Sequence, residues 1–279
     1  IKMHRILNIA GNDKNKNDLI EQPAADFIFI TSVKVDLNLI SRLLLEEEFA
    51  SLKNNLRALE ISTLNSSTQI DNYLLITVNY AKVVVLRVFG DKGTWSYGIE
   101  QLLNWQEANN KRRLIILSGT VEQELSLCEL SSINKNIAIK ISKLLRSGGL
   151  DNYRKFLNCF NYLKDKESLI PDKFLNITFY PDPYLYDWKK ENGENVGIIS
   201  YKSLFLANEI EVNQKLNFQL RKCGLSPKTV FVSTLKDLNI QNNLIEIFKK
   251  EDIKIIITTT SFSSTQIKSN DLIENSANI

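Results

Sequence analysis

The segment RVFGDKGTWSYGIEQL, Arg87 to Leu102, gathers two cations, a Trp, a Tyr and three glycines at one place in the chain. Arg87 and Lys92 are suited to pairing with carboxylates. Trp95 and Tyr97 can offer a flat apolar wall. Gly90, Gly93 and Gly98 let the backbone turn sharply and approach a ligand closely. Together these residue types suit a large flat ligand edged with acidic groups, and Arg87, Lys92, Trp95 and Tyr97 are the candidate substrate-binding residues. The glycine spacing is not GxGxxG, so the dinucleotide-binding fingerprint is absent. A competing reading has Trp95 and Tyr97 closing the edge of a core, with the glycines only shaping the turn.

Other reactive residue types are sparse. His4 is the single histidine. Ser–His–Asp and Cys–His chemistry needs a His partner, and zinc sites draw on His or clustered Cys, so hydrolase and zinc chemistry are disfavoured. Cys128, Cys159 and Cys223 are odd in number and far apart. They fit a reducing compartment and read as small buried hydrophobes. Glu46, Glu47 and Glu48 read as a solvated helix end. Lys236 and Asp237 close a strand, where a cap is the simpler role. No catalytic or metal-binding residue is assigned.

The elements that would position the glycine-aromatic segment follow from periodicity. Just before it, KVVVLRVFG is a near-continuous apolar strand, the pattern of a strand buried on both faces of a parallel sheet. After it, Ile99, Leu102, Leu103 and Gln106 mark a helix. Further strands are expected at Arg5–Ile9, Asp26–Ser32, Leu56–Ser62 and in RRLIILSG. Helices are expected where Leu37, Ile40 and Leu44 share a face, with Asp36 as N-cap, and where Ile70, Leu74 and Val78 do. Two more follow, one on Ile137, Ile141, Leu144 and Leu145, ended by Ser147–Gly149, and one from about Asp151 to Lys164. The alternation predicts an α/β fold, with parallel βαβ units doubly wound in the Rossmann-like or flavodoxin-like manner.

The texture changes between 171 and 194, which is rich in proline and aromatics and has no clear period. It reads as an extended connector lying on the surface through Tyr180, Tyr184, Tyr186 and Trp188. Alternation then resumes through NVGIISY, VNQKLNFQLRKCG with Gly224 as C-cap, KTVFVSTLKD, NIQNNLIEIFKK and IKIIITTTSFSS. The expected organisation is a first lobe over 1–170, the connector over 171–194, a second lobe over 195–265 and a polar tail over 266–279. The second lobe ends on an apolar strand with no helix to cover it, so a longer polypeptide is expected.

Composition is that of a globular protein. Of 279 residues, 43% are hydrophobic and 24% charged, with a net charge of +3. No Lys/Arg block calls for nucleic acid. No apolar run nears the ~18–20 residues that span a bilayer, and no secretory pattern opens the chain; a cytoplasmic location is expected.

VVVLRVFGDKGTWSYGIEQL resembles the arginine, glycine, Trp-x-Tyr-Gly segment of the large subunit of aerobic cobaltochelatase, the CobN type. VGIISYKSLFLANEIEVNQKLNFQLRKCGLSPKTVFVSTLKD looks like that family's VGI strand, Tyr-Arg/Lys-Ser-Leu and Phe-Val-Ser-x-Leu-Lys-Asp pattern. IIITTTSFS and FIFITSVKVDLNLISRLL are similar to two further segments, in the same order. The resemblance implies an N-terminal piece of a subunit several times longer. That subunit is similar to the H subunit of magnesium chelatase, and it hosts Co2+ insertion into a corrin, hydrogenobyrinic acid a,c-diamide. It also implies partner subunits of the AAA+ type that hydrolyse ATP with Mg2+, and no activity for the fragment alone. The family position after Tyr201 is commonly Arg; Lys202 stands there and would make a weaker carboxylate contact. The alternatives are a non-enzymatic module of two lobes around a cleft, hinged at the connector, and the magnesium chelatase H subunit itself.

Overall fold

A computed structural model describes residues 19–165 and 169–259. The expected strand at Arg5–Ile9, His4 and the polar tail lie outside the described residues. The chain runs β1 (Phe27–Thr31), α1 (Lys34–Leu43), α2 (Ala50–Asn55), β2 (Leu56–Glu60), α3 (Ser67–Ile76), β3 (Val83–Val88), α4 (Ser96–Glu107), β4 (Arg113–Ser118), α5 (Glu124–Cys128), α6 (Lys135–Ser147), α7 (Leu150–Leu163) and α8 (Asp172–Leu175). It continues through β5 (Tyr184–Tyr186), β6 (Asn195–Tyr201), α9 (Lys202–Leu206), α10 (Glu211–Lys222), β7 (Ser226–Val232), α11 (Leu238–Lys250) and β8 (Ile255–Thr258). This is the expected α/β fold.

The described chain packs as two compact units. The first holds the residues up to Lys34 together with Ser51–Ala138; the second holds Val35–Ala50 and the residues from Ile139 onward. This division differs from the expected boundary at 170. Sequence period marks elements, whereas the units are set by which faces pack together, so α1 and α7 fall in the second unit.

In the first unit four parallel strands lie in the order β2-β1-β3-β4. Every residue of β1 and β3 is buried, as continuous apolar runs require when both faces of a sheet are covered. On one face Ile28, Ile30, Val84, Leu86, Leu114 and Ile116 pack with Ile70 and Tyr73 of α3 and Ile99, Leu102 and Trp105 of α4. Each such side chain contributes about 1.5–3 kcal/mol by leaving water. Ser66 caps α3, accepting from the Gln69 amide at 3.3 Å.

In the second unit the order is β5-β7-β6-β8. β6, β7 and β8 are parallel and β5 is antiparallel to β7. The segment expected as an extended connector therefore supplies an edge strand, too short to show a period. Tyr184 and Tyr186 turn inward to Phe205, with ring centroids 4.2 and 6.2 Å away, while Leu185 is exposed. Trp188 packs against the core of Ile199, Val230, Leu244 and Phe248, and its indole N–H donates to the Thr229 carbonyl at 2.7 Å. β8 is an edge strand with Ile255 and Ile256 exposed.

Three further expectations are corrected. Asp36 is not an N-cap. The Val33 amide already donates to Thr31 Oγ1 at 3.0 Å and α1 starts at Lys34, which leaves Asp36 inside the first turn, buried and accepting from the Tyr153 hydroxyl. The buried face of α1 is Leu39, Ile40 and Leu43, not the stripe through Leu37 and Leu44. Cys223, at the end of α10, is exposed, while Cys128 and Cys159 are buried.

Candidate functional site

In the first unit the chain leaves β1 for β2 on one side and returns to β3 on the other. The winding thus reverses between β1 and β3, and the crevice beyond their carboxyl ends is where open α/β sheets place ligands. Backbone and side chain tie the two strand ends together there. The Ser32 amide donates to the Arg87 carbonyl at 3.0 Å, and the Phe89 amide donates to Ser32 Oγ at 2.5 Å. Gly90 then adopts φ +127°, a conformation open to glycine and strained for other residues. The Asp91 carboxylate accepts from the Gly93 amide at 2.8 Å, fixing a 3-10 turn over Lys92–Trp95 that feeds α4.

The four sequence-predicted residues separate into two pairs around this turn. Arg87, the penultimate residue of β3, is 5% exposed, and Trp95 is 8% exposed. Trp95 sits in the core with Ile70 and Ile99, and its indole N–H donates to the Leu64 carbonyl at 3.3 Å. Lys92 and Tyr97 reach solvent. The Tyr97 hydroxyl faces both oxygens of Asp71 on α3, at 2.8 and 3.0 Å. That hydrogen bond holds the phenol above its ordinary pKa.

Periodicity gave no hint of Phe89. It reads as the last residue of an apolar strand, yet it lies one residue beyond β3 and is 60% exposed. Its ring lies against Gly119, at the end of β4, whose amide donates to the Val88 carbonyl at 2.6 Å. The signal available in the sequence was the glycine that follows each strand, Gly90 after Phe89 and Gly119 after Ser118.

At the carboxyl ends of the second sheet, the Lys202 ammonium donates to the Tyr180 carbonyl at 2.9 Å and lies 3.7 Å from the Asp182 carboxylate. Asp182 accepts in turn from the Ser233 amide at 3.2 Å. Lys202 thus ties the segment before β5 to the ends of β6 and β7. Asp237 caps α11, accepting from the Asn239 amide at 2.8 Å, as the cap reading anticipates. Glu46 and Glu48 are half-exposed partners of Arg154, at 2.8 and 3.6 Å. Among the described residues no group of three or more His, Cys, Asp or Glu is placed to hold a metal ion, and no helix is long and apolar enough to cross a membrane.

Residues 142–278 match the family described as CobN/Magnesium Chelatase. Two curated relatives bear the same description, aerobic cobaltochelatase subunit CobN. The one from Pseudomonas aeruginosa is 22% identical over 242 residues, covering 82% of this chain and 19% of the relative. The one from Sinorhizobium sp is 24% identical over 280 residues, covering 94% of this chain and 22% of the relative. An alignment over that share of the chain takes in the β1–β3 crevice, which lies ahead of the matched family domain. The catalytic subunit of cobaltochelatase from Mycobacterium tuberculosis has a similar fold, with TM-score 0.60 and 18% identity over 80% of this chain and 17% of that one. The chain therefore spans about a fifth of the length of the CobN relatives it matches.

Proposed function

We propose that this chain is part of the large subunit of a cobaltochelatase, the component that holds a corrin while Co2+ replaces two ring N–H protons. The observation that carries the reading is the family domain over 142–278 together with two relatives both described as cobaltochelatase subunits. On this reading Co2+ is a substrate, ATP and Mg2+ act on AAA+ partner subunits, and the work is done in the cytoplasm.

The described residues contribute binding surface rather than metal chemistry. Escorting a divalent cobalt ion calls for clustered His, Cys or carboxylate ligands, and among the described residues no group of three or more such side chains is placed to hold a metal ion; Asp91 and Asp237 serve as caps and Glu46 and Glu48 pair with Arg154. Lys92 would meet the acidic edge of the ring and the exposed Tyr97 could offer its ring face, its hydroxyl being held by Asp71, while Arg87 and Trp95 hold the strand end and turn from behind.

The test is reconstitution. The full-length subunit, mixed with its partner subunits, ATP, Mg2+, Co2+ and hydrogenobyrinic acid a,c-diamide, is followed by the absorbance change on metal insertion. Insertion is expected with the full-length subunit and none with residues 1–279 alone. Failure of the complete mixture with cobalt, or success with Mg2+ and a porphyrin instead, would sink the reading.

A further inference from the structure

We propose that Phe89 is the ring-facing platform of the first unit, and that Lys34 and Lys92, on the segments leaving β1 and β3, receive the carboxylates of a flat macrocycle. The inference rests on the chelatase reading for the identity of the ring, and on the structure for the place.

Four observations converge on the β1–β3 crevice. Phe89 exposes 60% of its surface at the one point of the sheet where the winding reverses. A phenyl ring left in water there gives up the gain that burial brings to the strand residues just before it. Its position is built rather than incidental. The backbone amide is held by Ser32 Oγ, the next residue turns through positive φ, and the ring rests on a glycine at the end of β4. Val121, two residues past Gly119, is also exposed.

Two lysines and two exposed carboxylates, Asp91 and Glu122, lie on the segments around it. Lys34 lies two residues past Ser32, on the segment leaving β1, and Lys92 lies three residues past Phe89, on the segment leaving β3. Both are exposed, and neither has an ion-pair partner among the described residues. The nearby carboxylate of Asp91 is turned back onto the Gly93 amide. An exposed aromatic face with ammonium groups on the two segments that leave β1 and β3 is complementary to a planar ring with peripheral carboxylates. The two rings that looked most suitable in the sequence are less available, since Trp95 lies in the core and the Tyr97 hydroxyl is held by Asp71.

The chain is titrated into a porphyrin octacarboxylate and, separately, into hydrogenobyrinic acid a,c-diamide, and the shift of the absorption band is followed. Wild type is expected to give a saturable shift with both. Phe89→Ala should weaken binding about tenfold, and the pair Lys34→Glu with Lys92→Glu by at least about tenfold, with a steeper loss in low salt. Phe218→Ala, which removes another exposed phenylalanine in the second unit, should change nothing. Circular dichroism melts establish that each variant is folded. No saturable shift with wild type, a Phe89→Ala affinity within about twofold of wild type, or equal binding of a tetracationic porphyrin overturns the platform. So does a Phe89→Ala full-length subunit that keeps its ring affinity but no longer captures the ATPase subunits, because the patch is then a protein contact. A Phe89→Ala subunit that inserts cobalt at the wild-type rate and affinity removes the platform while leaving the chelatase reading intact.

Discussion

Phe89 and Gly119 lie so close that a Cβ added to Gly119 would come within 2.8 Å of the Phe89 ring and 3.0 Å of its Cα. The end of β3 and the end of β4 can approach this far only because one of the two residues has no side chain.

Gly119→Ala is therefore expected to destabilise the first unit by about 1–3 kcal/mol, the usual range for forcing a methyl group into occupied space. Phe89→Ala removes the ring but not the Cα. The double variant should recover part of the loss, a coupling that urea denaturation of both singles and the double would measure. Additive effects would mean that the two residues do not touch in solution.

Lys202 is the position where the resembled family more often carries Arg, and its side chain is committed within the unit. It holds the Tyr180 carbonyl and faces Asp182, which holds the Ser233 amide. Lys202→Met should cost about 1–3 kcal/mol, because charged hydrogen bonds in a mostly buried setting are lost. Amide exchange at Tyr184–Tyr186 should quicken while β6 stays protected. Lys202→Arg should keep most of that protection. Unchanged exchange in Lys202→Met would show that the segment before β5 is held by its aromatic contacts alone.

The parts of the fold that could be read from sequence were those with long, uninterrupted patterns. β1 and β3 are buried from end to end, with Thr31 and Arg87 their only polar residues, and α7 buries one regular stripe. β5 escaped because three residues cannot display alternation, and because its neighbours Pro183 and Trp188 break any period. The phase of α1 was misjudged because Leu37, Leu39, Ile40, Leu43, Leu44 and Leu45 offer overlapping stripes. Only packing selects Leu39, Ile40 and Leu43, with the buried Asp36 on the same side. At the candidate site the glycine turn was legible, but which aromatic faces outward was not. Burial at a strand end depends on where the sheet stops, and β3 stops at Val88, one residue before Phe89.

The three thiols separate by burial. Burial pushes the Cys159 thiol up to about 12 from its ordinary 9.0, since the charged thiolate loses its hydration. At pH 8, iodoacetamide should modify Cys223 in the native chain and all three cysteines in denaturant. The linked effect on stability has a definite sign. The folded state holds the Cys159 proton more tightly than the unfolded state, so this contribution is intact below about pH 9 and declines as pH rises toward about 12. Cys159→Ala should lose less stability over that window than wild type does. An identical alkaline slope in the two proteins would place the titrating groups elsewhere.

Trp95 and Tyr97 stand two residues apart in the same motif and should respond oppositely to mutation. Trp95 is packed among Ile70, Ile99 and Leu102 and donates to the Leu64 carbonyl. Trp95→Ala leaves a large cavity and an unpaired carbonyl, and should cost about 3–5 kcal/mol. Trp95→Phe keeps most of the volume and loses the donor, so it should cost about 1–2 kcal/mol. Tyr97 is exposed, and Tyr97→Phe removes only a hydroxyl that water can replace at Asp71, so its melting midpoint should match wild type. What Tyr97→Phe does change is a phenol titration. The wild-type spectrum should include a Tyr97 component ionising above the usual range because Asp71 holds its proton, and that component should be missing from the variant while those of the other raised tyrosines, Tyr73, Tyr180 and Tyr184, remain. A Tyr97→Phe chain that melts well below wild type would mean that the Asp71 contact joins α3 to α4 as a structural clamp. A Trp95→Ala chain that melts with wild type would mean that the indole is not part of the core.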